Sequence, residues 1–122
     1  MYQVIWNEEH KIEIALIDEI TADEFRQVIH QLESLCRMYP HINVLFDARD
    51  ASKYDFKIVL DEFDFFKKYN QYLQRVALVS DSRFAEFLMK LFDRFTETEF
   101  RQFTSEHIEE ARKWIFPSRL PA

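Results

Sequence analysis

The sequence predicts an α/β domain of element order ββαβαβαβα, in which four helices pack on a mixed, mostly parallel five-stranded sheet. Two strand-like runs open the chain, and strand-like and helical patterns then alternate along its 122 residues. Strand–helix–strand units form right-handed crossovers between parallel strands, whereas an opening hairpin adds an antiparallel edge. Because no linker or repeat divides the chain, we expect one domain over residues 1–122, with a frayed tail at 116–122.

The first elements are a hairpin and an amphipathic helix. Residues 2–6 and 11–17 alternate or run apolar over the length of a strand, and a polar connection separates them. Thr21 and Glu24 have the spacing of a capping box, which marks the start of a helix. Apolar residues follow at helical spacing until Pro40, where we expect the helix to end.

Three further runs predict the remaining strands. Residues 42–48 (INVLFDA) and 75–80 (RVALVS) are rich in apolar and β-branched residues, as is typical of strands buried on both faces. The polar residues 48–53 (ARDASK) predict a loop after the third strand. Residues 99–103 predict a short fifth strand, and a cap at residues 104–105 precedes the last helix.

The third helix has one broad apolar face. Asp81 or Ser82 can cap its first turn. Large apolar side chains then recur three and four residues apart, which is the pattern of a single helical stripe. They are Phe84, Phe87, Leu88, Leu91, Phe92 and Phe95.

The second helix, predicted at residues 54–72, has two apolar faces where a surface helix needs one. The face that can pack on the sheet comprises Phe56, Val59, Leu60, Phe63 and Phe66. The face on roughly the opposite side comprises Ile58, Phe65, Tyr69 and Tyr72. This second face needs a partner of its own, and the identity of that partner is the main question about function.

Composition argues against several classes of function. The net charge of −6 disfavours nucleic-acid binding, which needs a concentrated basic surface. The chain has no glycine, so it lacks phosphate-binding loops, dinucleotide-binding turns and nucleophile elbows. Asp61, Glu62 and Asp64 point in several directions on a helix and lack the spacing of a metal site. We expect no catalytic residue, no metal and no cofactor.

Cysteine content and hydropathy indicate the compartment. The single cysteine, Cys36, lies on the apolar face of the first helix, which suits a core thiol in a reducing compartment. The first residues lack a signal-peptide pattern, and no apolar run reaches the roughly 18 residues needed to span a bilayer. We therefore expect a cytoplasmic protein.

Two stretches carry a family resemblance: VLFDARDASKYDF, and RVALVSDSRFAEFLMKLFDRFTETEFRQFTSEHIEEARKWI. They are similar to the SpoIIAA-like family, whose members are distant relatives of STAS domains. The resemblance implies a five-stranded sheet with four helices, an apolar cavity between the second and third helices, lipophilic-ligand binding and membrane association. STAS proteins that antagonise anti-sigma factors carry a phosphorylatable serine in an Asp-Ser-Ser-Gly type motif. Residues 54–57 read YDFK instead, so we expect no phospho-switch.

The leading hypothesis is a non-enzymatic domain that holds a lipophilic small molecule between its second and third helices and contacts a membrane surface transiently. The predicted ligand-binding residues are Ile58, Phe65, Tyr69, Tyr72, Phe87, Leu88 and Leu91. A homodimer that uses the same apolar face is the rival hypothesis. Coverage of that face by neighbouring elements of the same domain is the third alternative.

A polar mouth for this pocket is predicted at the carboxyl ends of the two central strands, where open α/β sheets bind ligands. Its residues are Asp47, Arg49, Asp81 and Arg83. Two arginines there could hold a carboxylate or a phosphate. Alternatively, the aspartates cap helix starts and the arginines pair with them.

Overall fold

The structure, a computed structural model, describes residues 1–53 and 64–117. One sheet contains β1 (Tyr2–Glu8), β2 (Lys11–Glu19), β3 (Ile42–Lys53), β4 (Leu73–Val79) and β5 (Glu99–Phe103), in that spatial order. β1 runs antiparallel to β2, and all other neighbouring strands are parallel. The predicted mixed sheet with an antiparallel edge is confirmed.

Helices cover both faces of this sheet. They are α1 (Ala22–Met38), α2 (described over residues 64–68), α3 (Arg83–Phe95) and α4 (Ile108–Ile115), with 3-10 turns at Asn70–Tyr72 and Ser105–His107. The first three helices share one large apolar cluster with the sheet, whereas α4 packs on a smaller cluster that contains Leu45, Ala77 and Val79. The cores therefore lie on opposite sides of β3 and β4.

The hairpin and the first helix form as predicted. The hairpin turn is tight, and Glu9 in it adopts a positive φ of 53°. The Thr21 hydroxyl accepts a hydrogen bond from the Glu24 N–H at 3.1 Å, and the Glu24 carboxylate accepts one from the Thr21 N–H at 3.2 Å. This is the capping box that the sequence indicates. α1 ends at Met38, two residues before Pro40.

The third strand is longer than its apolar run. β3 continues to Lys53, so the loop predicted at residues 48–53 is wrong. β2 also continues past its apolar part, and Ile17 pairs with Asp50 while Glu19 pairs with Lys53. Pairing with β2 satisfies the backbone groups of this segment, so its polar side chains do not prevent a strand.

The described part of α2 anchors the large core. Phe66 is buried, in agreement with its place in the predicted sheet-facing set. Its ring centroid lies 5.6 Å from that of Phe92 and 5.1 Å from that of Phe100. Beyond residue 68 the α-helix gives way to the 3-10 turn, so the predicted continuation to residue 72 is not an α-helix. The predicted positions that lie outside the described residues are Phe56, Ile58, Val59, Leu60 and Phe63.

α3 buries only part of its apolar stripe. The side chains that pack inward are Ala85, Leu88, Met89 and Phe92. By contrast, Phe84 and Phe87 remain 48% and 58% exposed, so they do not join the packed face of the helix. The stripe is wider than the surface that the sheet offers to it, and its outer edge faces outward.

The chain order ends with β5, which has the predicted bounds, and with α4. Phe116 is 1% exposed and packs with Ala111 and Ile115 in the smaller core. Its N–H donates a hydrogen bond to the Arg112 carbonyl at 2.7 Å. A frayed tail therefore does not begin at residue 116, and residues 118–122 lie outside the described part of the chain.

Candidate ligand cavity

A cavity of about 160 Å³ lies where the carboxyl ends of β3 and β4 meet the first turns of α3. Parallel sheets bind ligands at this end, outside the carboxyl ends of their strands. The cavity opens on the same side of the sheet as the large core, because Ala48, Leu78 and Ala85 belong both to its lining and to that core. It is the candidate functional site.

Small side chains create this space. β3 contributes Ala48 and Ala51, and α3 contributes Ala85. A larger apolar side chain at any of these positions would extend into the cavity, where each alanine now contributes only a methyl group. The described lining also contains the buried apolar side chains of Leu78, Leu88 and Met89. Phe84 also lines the cavity, and its 48% exposure places it at the rim.

In the described part of the lining, the polar residues are three serines: Ser52, Ser80 and Ser82. Ser82 is the N-cap of α3, and its hydroxyl oxygen accepts a hydrogen bond from the Ala85 N–H at 3.3 Å. The Ser80 hydroxyl oxygen accepts one from the Ser82 N–H at 3.2 Å. The Ser82 cap confirms one of the two capping residues predicted for this helix.

Of the predicted ligand-binding residues, the structure places Leu88 in the lining. Phe87 lies on the outer edge of α3, and Leu91 is half-buried one turn further on. Neither contributes to the cavity wall. α3 therefore supplies the wall through Ala85, Leu88 and Met89, which face the sheet.

Three other predicted ligand-binding residues pack against the domain's own core, whereas Ile58 lies outside the described residues. Phe65 is 5% exposed, and its ring centroid lies 5.0 Å from that of Tyr69. The Tyr69 hydroxyl donates a hydrogen bond to the Glu33 carboxylate of α1 at 2.6 Å. Tyr72 is partly buried against the same core. The described part of the second apolar face is thus covered within the domain, which was the third alternative.

The predicted polar mouth does not assemble at the cavity. Asp47 points from β3 to the α4 side, as does Leu45 two residues earlier. Arg49 donates two side-chain hydrogen bonds to the Asp47 carboxylate, at 2.9 and 2.8 Å. Burial alone would raise the pKa of Asp47, but these hydrogen bonds and the positive charge of Arg49 hold it below its ordinary value. The two residues therefore form an ion pair, as the alternative interpretation expects.

Asp81 and Arg83 also lie away from the lining. The Asp81 carboxylate accepts hydrogen bonds from the Ser105 hydroxyl and from the Ser105 N–H, and both lower the pKa of Asp81. Asp81 thereby joins the β4–α3 connection to the turn that follows β5. Arg83 is exposed in the first turn of α3.

The cavity residues that the sequence interpretation missed are small ones. Ala48, Ala51 and Ser80 attract no attention individually, because alanine and serine carry little chemical signal. Their common feature is position, since Ala51 and Ser80 lie near the carboxyl ends of two adjacent parallel strands and Ala48 lies beside the end of β4. Small residues at neighbouring strand ends, facing a helix start, are the signal that could have located this space.

Other side chains that are able to react or to transfer a proton lie outside the cavity lining. His107 Nδ1 is 2.7 Å from the Thr104 hydroxyl, and His107 Nε2 is 4.0 Å from the Glu110 carboxylate, but all three side chains are exposed. Burial, with a smaller effect of Glu33, raises the pKa of the Cys36 thiol to about 11.

Among the described residues, no group of three or more histidine, cysteine or acidic side chains is placed to hold a metal. No described helix is long and apolar enough to cross a membrane.

Comparisons with known proteins agree with the fold. A protein of the DUF3478 family from Shewanella loihica PV-4, described as uncharacterized and with a SpoIIAA-like fold, superposes with a TM-score of 0.71 at 19% identity, covering 94% of this chain and 92% of that chain. The anti-sigma factor antagonist SpoIIAA in its unphosphorylated form superposes with a TM-score of 0.61 at 12% identity, covering 92% and 96% of the two chains. The curated proteins contain no match.

At these identities the two solved structures show the fold alone. The family assignment comes from the sequence, because the family model described as SpoIIAA-like matches residues 11–116. That match includes every strand except β1, and all four helices. The protein belongs to the SpoIIAA-like family and has the STAS-type fold of that family.

Proposed function

We propose that this SpoIIAA-like domain is a non-enzymatic binding protein whose ligand occupies the cavity between the strand ends and α3. The observation that carries the proposal is the cavity itself. Small-molecule sites are usually concave and mostly apolar, with a few polar groups, so a pocket of this kind favours a ligand. Its wall of alanine, leucine, methionine and phenylalanine side chains suits a lipophilic molecule.

The volume limits what can enter. At about 160 Å³, the cavity is close to the roughly 150 Å³ of an apolar cavity known to take up benzene. It therefore accommodates one ring or a short branched chain. A longer lipophile would insert one end and leave the rest against Phe84 at the rim and Phe87 beside it.

The same outer edge of α3 supports transient membrane contact as part of the proposal. Phe84 and Phe87 are large, exposed and one turn apart. Arg83 and Lys90 are exposed on the same helix, and basic side chains beside exposed aromatics favour contact with an anionic lipid surface. Co-sedimentation with anionic vesicles tests this part, and we expect Phe87→Ser to reduce it.

Homodimerisation is the second candidate function. The face predicted for it is covered in its described part, since Phe65 is buried and Tyr69 contacts α1. The 58% exposure of Phe87 instead favours α3 as the surface of a dimer. Sedimentation velocity over micromolar concentrations tests this candidate. A dimer that Phe87→Ser dissociates would support it, and a monomer at all concentrations would exclude it.

Cavity occupancy can be measured by titrating the isotope-labelled protein with benzene or xenon and recording chemical shifts. We expect saturable shifts for residues around Leu78 and Leu88. Ala51→Leu should abolish them by filling the space, since Ala51 is half-buried in the lining. Ala22→Leu is the matched control, because Ala22 begins α1 outside the lining. Absence of saturable shifts in the wild type, or equal shifts in Ala51→Leu, would refute the proposal.

A further inference from the structure

The cavity has a polar side whose chemistry narrows the ligand class, provided that the cavity binds a ligand as proposed above. Ser52 lies near the end of β3, while Ser80 and Ser82 lie between β4 and α3. These three serines therefore come from two separate segments and line one cavity. The apolar wall of Leu78, Leu88 and Met89 is part of the same lining.

These hydroxyl groups have hydrogen atoms left to donate. The oxygens of Ser80 and Ser82 each accept a hydrogen bond from a backbone N–H, which uses a lone pair and leaves the O–H proton free. Neither hydroxyl donates to an acceptor within the part of the chain that the structure describes, and the Ser52 hydroxyl has no partner there. Each of these hydroxyl groups can therefore still donate a hydrogen bond to a ligand.

Among the residues that the structure describes, no charged side chain contributes to the lining. Asp81, which lies between Ser80 and Ser82 in the chain, accepts hydrogen bonds from the hydroxyl and the N–H of Ser105. A charged ligand group would lose its hydration without meeting an opposite charge, which is costly in an apolar space. An uncharged acceptor oxygen loses less hydration and can take up the free hydroxyl protons.

We propose that the cavity selects compact lipophiles that carry an uncharged hydrogen-bond acceptor, such as an ether or carbonyl oxygen, over hydrocarbons of the same shape. The acceptor lies toward the three serines, and the hydrocarbon part lies against the leucine and methionine side chains. One neutral hydrogen bond of this kind corresponds to an affinity gain of about threefold to tenfold.

Anisole and ethylbenzene are suitable probes, because they have nearly the same shape and differ in an ether oxygen. Each is titrated into the wild type and into Ser80→Ala, with chemical shifts as the readout. We expect Ser80→Ala to weaken anisole binding about threefold to tenfold and to leave ethylbenzene binding unchanged. Comparing each ligand across the two proteins removes the difference in hydrophobicity between the ligands.

Two further variants keep the test decisive. Ser52→Ala removes a hydroxyl from an exposed position, so it gives the same readout if Ser80→Ala does not fold. Ser34→Ala is the matched control, since the Ser34 hydroxyl bonds to the His30 carbonyl on the exposed side of α1. If both probes bind the wild type and neither serine variant changes the anisole preference, selection of acceptors is refuted while cavity binding stands. If neither probe binds, the proposed function fails as well.

Discussion

Arg112 of α4 donates two hydrogen bonds to the Glu13 carboxylate of β2, at 3.1 and 3.0 Å, and the Glu13 side chain is completely buried. The pair joins the last helix to the opening hairpin across the sheet. A second acid, Glu109, accepts a hydrogen bond from the same guanidinium at 2.7 Å. A buried carboxylate is tolerated because this cation compensates it.

Removing the cation should therefore be severe. We expect Arg112→Met to lower the free energy of unfolding by about 3–5 kcal/mol, since it removes one partner of a buried ion pair. The double variant Glu13→Leu/Arg112→Met, which also removes the acid, should recover much of the lost free energy of unfolding. Urea unfolding followed by tryptophan fluorescence measures all three proteins.

The control for this prediction is an exposed ion pair on α1. Arg26 and Asp23 lie 3.0 Å apart with side chains 59% and 85% exposed. Arg26→Met should cost less than about 1 kcal/mol, because solvent screens such pairs. If Arg112→Met lowers the free energy of unfolding no more than Arg26→Met does, the burial of Glu13 does not increase the contribution of the Glu13–Arg112 pair to stability.

The Glu13–Arg112 pair also shows where sequence interpretation stops. Local patterns predicted the hairpin, the Thr21 cap and β5, because each depends on residues close together in the chain. Nothing local identifies Arg112 as the partner of a residue 99 positions away. The same holds for β3, whose polar end is a strand only because β2 lies beside it.

The candidate site was predictable in position but not in composition. The carboxyl ends of the central strands were the expected location, and Leu88 was an expected contact. The cavity itself is a space left between β3, β4 and α3, so it depends on how far apart they pack. Periodicity likewise could not divide the α3 stripe into the buried Leu88 and the exposed Phe87, since both share one helical sector.

Acid should weaken the contribution of Asp47. Its pKa lies below its ordinary value of 3.8 in the folded protein, so its carboxylate stabilises the fold above the unfolded-state pKa. That contribution is lost as the pH falls through the lower, folded-state pKa. We expect the stability of the wild type to decline more steeply than that of Asp47→Asn below about pH 4. Urea titrations across this range measure the slopes.

Arg49 provides an independent check on the same acid. Arg49→Gln removes the two charged hydrogen bonds to Asp47, so the folded-state pKa of Asp47 should rise. The dependence of stability on pH in acid should then differ strongly between the wild type and Asp47→Asn. It should differ less between Arg49→Gln and the double variant Arg49→Gln/Asp47→Asn. Parallel stability curves for the wild type and Asp47→Asn would contradict the role of Asp47.

Cys36 should be inert in the folded protein. The residue is 6% exposed, and burial raises the pKa of its thiol to about 11, so only roughly one thiol in a thousand is ionised near pH 8. We expect a thiol reagent to label it only as fast as the protein unfolds, with the rate rising with added urea. Ser34→Cys introduces an exposed thiol on the same helix and should add a fast labelling phase. Fast labelling of the wild type without urea would refute this expectation.

Tyr69 should hold the end of α2 against α1. Its hydroxyl donates to Glu33 at 2.6 Å, and its N–H closes the helix on the Phe65 carbonyl at 2.9 Å. We expect Tyr69→Phe to speed amide hydrogen exchange at Tyr69 and over residues 66–68, because the helix end loses its polar link to α1. Tyr72→Phe is the matched control, since the Tyr72 ring packs 6.3 Å from that of Tyr69 while its hydroxyl bonds to nothing in the described ranges. Equal exchange rates in the two variants would show that ring packing, and not the Glu33 hydrogen bond, secures this end of the helix.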